Sequence, residues 1–492
     1  MTRNRLWTPA VMLLAGTALL ALLLALQARG HVSGSGLDLW GRTLLANARL
    51  IAIDDILTAF PPLSYLGSIV LASLFPWLGP TTPSLLAAML GGVLVGGWFA
   101  TLRDNGFGRW AAPAATLLLG ANPLFLRAVA EGPAFVLLHW GVWLLALGMF
   151  QLRRGHRVND IILIALALVL IGLSHPLGLV LTFAVLPFLA LVMPPDRLRD
   201  APAAAFLVLL FPLLFTAASF LYVNWIFGGA PLHFLDTLSR ETAGLGTGAE
   251  TNLADDGLRG LHPALLAAIG IIAACPIGVS MFVRTSGMPP LRFAVLALLG
   301  WLVSATILAA LFDLLPSPAL VAGLGVPLAA ACAVRWPHER PARRETLLLL
   351  LAGMIGALVL SMADDSSETH RWRRAALGQP VPPPDPDLAE LAVVLKQHDG
   401  ILFDAEAAPA VVALRGRAAG IFSAETQAFQ LAGLGSGGDA KVLVVRNHAS
   451  SFGSDRIGRM FPELYDLGRP GYVRVFDSER WRVYARREKA PL

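Results

Sequence analysis

His31-Val-Ser-Gly-Ser-Gly-Leu-Asp38-Leu-Trp40 opens a polar break between two apolar runs, continues to Ile53-Asp54-Asp55, and closes in Phe60-Pro61-Pro62-Leu63-Ser64-Tyr65-Leu66. Ahead of it, Trp7 to Ala28 is apolar throughout and follows Arg3 and Arg5. That run is near the ~20 residues needed to cross a bilayer and exceeds a signal-peptide core of about 7–15. A cut after Ala28 would leave Leu26, not a small residue, at the third position back. A retained signal anchor is expected, which makes the break a loop outside a membrane.

Composition agrees. Hydrophobic residues make up 56% of the 492, charged residues only 14%, and the formal net charge is +5. Soluble domains average about 25% charged residues, so a polytopic α-helical membrane protein is expected. The Arg residues lie in short loops between apolar runs, which excludes a nucleic-acid surface as the reason for the excess charge. Cys275 and Cys332 both fall inside apolar runs and read as packing residues.

Further apolar runs recur near 83–102, 111–127, 133–152, 160–175, 177–193, 203–225, 263–283, 291–312, 316–334 and 346–362. With the first run they predict about eleven spans. The stretch 63–78 is short and opens on Pro-Pro, so a re-entrant or surface-lying helix is expected there. With it left uncounted, the basic residues fall on one side: Arg3 and Arg5, Arg103 and Arg109, Arg153, Arg154 and Arg157, Arg197 and Arg199, Arg284 and Arg292, and Arg335 to Arg344. The positive-inside rule then puts the N-terminus in the cytoplasm and the loops 29–62 and 226–262 outside.

Three parts follow: a transmembrane domain over 1–362, a polar, proline-rich linker over 363–386, and a small extracytoplasmic α/β domain over 387–492. In the last, a helix is expected at 387–398. Strands are expected at 401–403, 441–445, 472–476 and 481–485, the last two as a hairpin. Helical signals occupy 407–414, 424–431 and 456–464. No reaction is assigned to this domain.

The candidate chemistry sits in the outer loops. Asp38 reads as the N-cap of a helix over 39–50, as a base, or as both. Asp54 and Asp55 mark a turn or offer oxygen ligands to a divalent metal, which would need further ligands. Arg127 and Glu131, four apart, pair at a helix end or line a cavity. His175, before Pro176, is an interfacial residue or a ligand-binding one. Arg240 lies in the long loop, a length typical of binding lids. No Walker motif, zinc spacing or Gly-x-Ser-x-Gly elbow occurs.

The order of parts resembles the GT-C-type membrane glycosyltransferases, in particular the bacterial relatives of protein mannosyltransferase and lipid A aminoarabinose transferase. The matching pieces are Asp38, the Phe60-Pro61-Pro62-Leu63-Ser64-Tyr65 segment, and Ala121-Asn122-Pro123-Leu124-Phe125-Leu126 through Glu131. The resemblance covers about the first 200 residues and beyond them only the general layout. It implies a sugar donor on polyprenyl phosphate, an acceptor lipid, glycan or protein, and inversion at the anomeric carbon. The site would face the periplasm at a bacterial inner (cytoplasmic) membrane. It further implies that Asp38 is the base, with Asp54 the fallback and Asp55 beside it a further catalytic candidate. Arg127, Glu131, His175, Arg240 and Tyr65 would contact substrate; no cofactor is required by the resemblance, and a divalent metal ion is left open. Members often carry Asp-Glu where this chain has Asp38-Leu39. That departure motivates a second reading, a non-catalytic scaffold or assembly subunit. A lipid-linked-sugar transporter is a third, opposed by spans almost free of charge.

Overall fold

A computed structural model of the protein describes residues 7–155, 158–193, 199, 202–235, 262–284, 289–312, 314–335, 340–434, 440–449 and 453–487. Among these, six helices are long and apolar enough to cross a membrane: Trp7–Ala28, Pro76–Asp104, Pro133–Arg154, Phe206–Gly228, Leu291–Leu311 and Arg343–Ala363. Two bent pairs raise the number to eight, Ala111–Gly120 with Pro123–Glu131 at 53° and His262–Ala274 with Pro276–Val283 at 71°. Each bend falls at a proline, which cannot donate to the preceding turn. Val158–Ser174, Pro176–Val192 and Pro318–Val334 are apolar but shorter. The protein is thus a helical membrane protein with a small sheet.

The chain divides into two compact units. The first comprises Met1–His31, Ser84–Tyr222 and Gly246–Val381, the second Val32–Pro83, Val223–Leu245 and Pro382–Leu492. This differs from the division expected from sequence, which cut the chain at 362 and 387. The segment Val32–Pro83 belongs with the C-terminal domain because it buries apolar side chains there. The expected linker is also different in its first part. Ser367–Ala376 is a helix capped by the Ser366 side chain, which accepts from the Thr369 N–H. Asp364 anchors it, accepting from Ala319 N at 3.0 Å and Thr369 Oγ1 at 2.8 Å. Polar composition and the nearby Pro-Pro-Pro hid that helix.

In the first unit, helices approach through small residues, as membrane helices do where no hydrophobic force drives them together. Helix α1 (Trp7–Ala28) crosses the helix Thr82–Asp104 at Gly16 and Gly92. A Cβ on Gly92 would stand 2.7 Å from the Gly16 backbone.

The second unit begins with α2 (Gly34–Asn47), α3 (Ile53–Thr58) and α4 (Pro62–Leu74). Helix α4 has 13 residues, short of a crossing. Leu37 and Trp40 of α2 pack with Ala72 of α4 and with Ala413 of the helix Pro409–Arg415. Leu45 and Ile51 join a core with Leu391, Val411, Val444 and Trp481. The sheet has the order β2-β1-β3-β5-β4, with β1 (Ile401–Leu402), β2 (Ile421–Phe422), β3 (Val442–Arg446), β4 (Tyr472–Asp477) and β5 (Trp481–Arg486). Strand β1 runs parallel to both β2 and β3, while β5 is antiparallel to β3 and β4.

Candidate active site

The chain leaves β1 for β2 on one side and later returns to β3 on the other. That reversal makes the carboxyl ends of β1 and β3 a topological switch point, where open α/β sheets leave a crevice. Asp404 and Glu406 follow β1 there, and Asp455 and Arg456 follow β3. Two devices fix them. Asp455 caps the helix Arg456–Met460, accepting from Gly458 N at 2.7 Å and from Arg446 N at 3.3 Å. Asp404 accepts from the Arg456 backbone N at 2.8 Å, and the Arg456 side chain donates to Glu406 Oε1 at 2.9 Å.

From the other wall come residues of the Val32–Pro83 segment and His233. Arg42 of α2, Asp55 of α3, Tyr65 of α4 and His233 line a cleft with Glu406 and Arg456. The cleft is open to solvent. Phe60, itself buried, holds the corner ahead of α4 by packing on Phe234 at 5.8 Å between ring centroids.

The charges are unevenly matched. Arg42 donates through Nε to Asp38 at 2.8 Å. Glu406 is paired with Arg456, and its side chain is 12% exposed. The Asp55 carboxylate has no hydrogen-bond or ion-pair partner among the described residues. Burial, then the charge of Asp55, pushes the Glu406 carboxyl up to about 7, against the opposing pull of Arg456. Burial likewise pushes Asp455 up to about 7, with its two backbone donors and Arg446 acting against it. The Tyr65 phenol is buried, and that burial raises it; Arg42 opposes, while Asp38, Glu406 and Asp55 add to the rise. Four charged side chains therefore bear on one phenol.

The structure brings Asp55 and Tyr65 together in this cleft. Asp38 sits beside it on Arg42 and does not cap a helix. The cap of α2 is Ser33, which accepts from Gly36 N at 3.0 Å, because the helix starts five residues earlier than the 39–50 reading. Asp54 is exposed, and its carbonyl accepts from Thr58 Oγ1 at 2.9 Å. Arg240 lies outside the described residues.

Arg127, Glu131 and His175 belong to the first unit. Arg127 donates to Glu131 at 2.7 Å and to Glu368 at 3.4 Å, with the Arg127 and Glu131 side chains 1% exposed. Arg371 and His31 share the neighbourhood. Burial, then Glu131, pushes Glu368 up to about 7. Burial, then Arg127 and Arg371, pushes the His31 imidazole down to about 3, so it is neutral. His175 caps the helix Pro176–Val192 by accepting from Leu177 N at 3.0 Å, and its ring packs on Phe135.

Sequence reading missed Arg42, Glu406 and Arg456. Signals existed for the first two. Arg42 stands four residues after Asp38 on a helix, and Phe403-Asp404-Ala-Glu406 follows the first strand of an α/β alternation, where such folds keep their ligands. Among the described residues, no group of three or more His, Cys, Asp or Glu side chains is arranged to hold a metal ion. Compared with protein-family models and with curated proteins, the chain matches none.

Proposed function

We propose that the protein is an integral-membrane glycosyltransferase of the GT-C type, with about eleven spans, transferring a sugar from a polyprenyl-phosphate donor with inversion. The acceptor is a hydroxyl on a lipid, glycan or protein, and the cleft opens to the periplasmic side of a bacterial inner membrane. The observation that carries the reading is the Asp55 carboxylate, without a hydrogen-bond or ion-pair partner among the described residues, in a cleft shared with Arg42, Tyr65 and the Glu406–Arg456 pair.

A carboxylate whose oxygen already accepts from a guanidinium is less open to an incoming hydroxyl than one without such a contact. Asp38 is engaged with Arg42 and Asp54 is exposed, so the base in this reading is Asp55. It takes the acceptor's hydroxyl proton as the acceptor oxygen bonds to the anomeric carbon. The bond from that carbon to the phosphate oxygen breaks, and its electron pair leaves on polyprenyl phosphate. The leaving anion requires no proton. Arg42 and Arg456 supply the positive field that stabilises it, and charge-assisted contacts of this kind are the strong ones.

Transfer of labelled sugar from a polyprenyl-phosphate donor, assayed with the purified protein in lipid nanodiscs, tests this. Wild type should turn over, and Asp55→Asn should lose roughly 10²–10⁴-fold, the usual share of general-base catalysis. The pairing of both arginines with Asp38 and Glu406 favours a second reading, a scaffold that turns nothing over. A wild type inactive on such donors that copurifies with a stoichiometric partner would establish it instead.

A further inference from the structure

Between Asp55 and Arg103 the chain carries no Asp, Glu, Lys or Arg. That stretch includes α4, whose 13 residues rise only about 20 Å and cannot cross a bilayer. A helix on the surface of a soluble domain turns its charges outward and its apolar stripe inward. Helix α4 does the reverse. Ser64, Tyr65, Ser68 and Ala72 are buried, Ala72 against Leu37 and Trp40 of α2. Leu66, Val70 and Leu74, one every four residues, form the outer stripe at 40%, 57% and 63% exposure. Phe75 and Trp77 follow, their rings edge to face at 5.3 Å, and Trp77 is 76% exposed.

We propose that the outer face of α4, together with Trp77, is a lipid-binding surface of the second unit that lies flat in the headgroup layer of the bilayer. The proposal stands on this surface alone and is independent of the transferase reading. An exposed apolar patch marks an interaction site, and three observations select lipid as its occupant. Leu74 stands two residues ahead of the span Pro76–Asp104, so chain connectivity keeps the stripe at a membrane boundary. A protein interface is ringed by a polar rim, whereas α4 and the residues that follow it up to Arg103 offer no charged side chain. Trp collects where a bilayer meets water, because its ring is apolar and its N–H polar. Trp77 stands at that junction, between surface helix and span. The consequence concerns the cleft. Tyr65, the chain neighbour of Leu66, lines it from the buried side of α4. With the stripe seated in the headgroup layer, the thickness of one helix, about 10 Å, separates the cleft from lipid. The surface thus holds the cleft within reach of a headgroup on a lipid anchor.

Nitroxide labels on Leu66→Cys, Val70→Cys and Leu74→Cys of the full chain in phosphatidylcholine–phosphatidylglycerol nanodiscs test the placement. Ala18→Cys, midway along the span Trp7–Ala28, and Glu479→Cys serve as lipid and water references. Cys275 and Cys332 are buried, and label on the wild type sets their background. All three labels should show an oxygen-to-nickel-chelate collision ratio roughly three- to tenfold above Glu479→Cys and below Ala18→Cys, as a depth of about 5–10 Å requires. Ratios equal to Glu479→Cys would overturn the proposal. So would ratios matching Ala18→Cys, or labels shielded from both reagents, as a protein partner or a second copy would shield them. Without any substitution, a phospholipid carrying a diazirine near its headgroup should crosslink to the wild type within residues 66–74. Crosslinks confined to the long apolar helices would contradict the placement even if a labelled variant failed to fold. Neither measurement needs turnover, so an inactive wild type would remove the transferase reading and leave this surface to be judged on its own.

Discussion

Arg127 and Glu131 show what a buried charge pair commits a membrane protein to. Both are 1% exposed, and Glu368 shares the guanidinium. Removing one partner strands the other without water. Arg127→Ala should therefore destabilise the first unit by about 3–5 kcal/mol, read as a lower unfolding midpoint in detergent. Replacing both residues by apolar ones of similar volume should cost far less. Spacing alone announced this pair, since four residues on a helix put two side chains on one face. It could not announce Glu368, which is 241 residues away and reaches Arg127 only through the fold. Asp38 makes the complementary case. Its partner Arg42 is equally close in sequence, four residues on. Ser33 takes the cap, and an aspartate inside the first turns of a helix pairs along it instead.

At the scale of elements, α2 meets the helix Pro409–Arg415 at Gly41. A Cβ there would stand 1.9 Å from the Pro409 carbonyl oxygen, and backbone cannot swing aside as a side chain can. Gly41→Ala should push the two helices apart and cost about 1–3 kcal/mol, the range for overpacking, seen as a lower melting temperature. The strands carry a pH signature. Glu406 and Asp455 have carboxyls raised to about 7 in the fold. A group whose folded pKa is raised contributes stability that is complete below its unfolded value and lost as pH rises through the folded one. The unfolding midpoint of this unit should fall between about pH 4 and 7, and Asp455→Asn should flatten the slope. The other strands and the helices of the C-terminal domain were legible because short β-branched and apolar runs and helical spacing survive in sequence. Strand β2 was not, since Ile421–Phe422 is too short to show a period.

Across the whole molecule, apolar runs told of a helical membrane protein, because length and hydropathy are local properties. The grouping of residues 32–83 with the C-terminal domain was not local, and depended on which apolar face met which. The same holds for the cleft. Asp55 and Tyr65 were visible as an acidic turn and a Pro-Pro-Leu segment, whereas Glu406 joins them only after the chain has built a sheet. The account therefore stands or falls on whether a donor sugar occupies that cleft. The direct measurement is photo-crosslinking of wild-type protein in nanodiscs with a polyprenyl-phosphate sugar bearing a diazirine on the sugar, followed by peptide mapping. Label on the segments that carry Asp55 to Tyr65 and Glu406 to Pro409, competed away by unmodified donor, is the predicted result. Competable label found only elsewhere on the chain would contradict it.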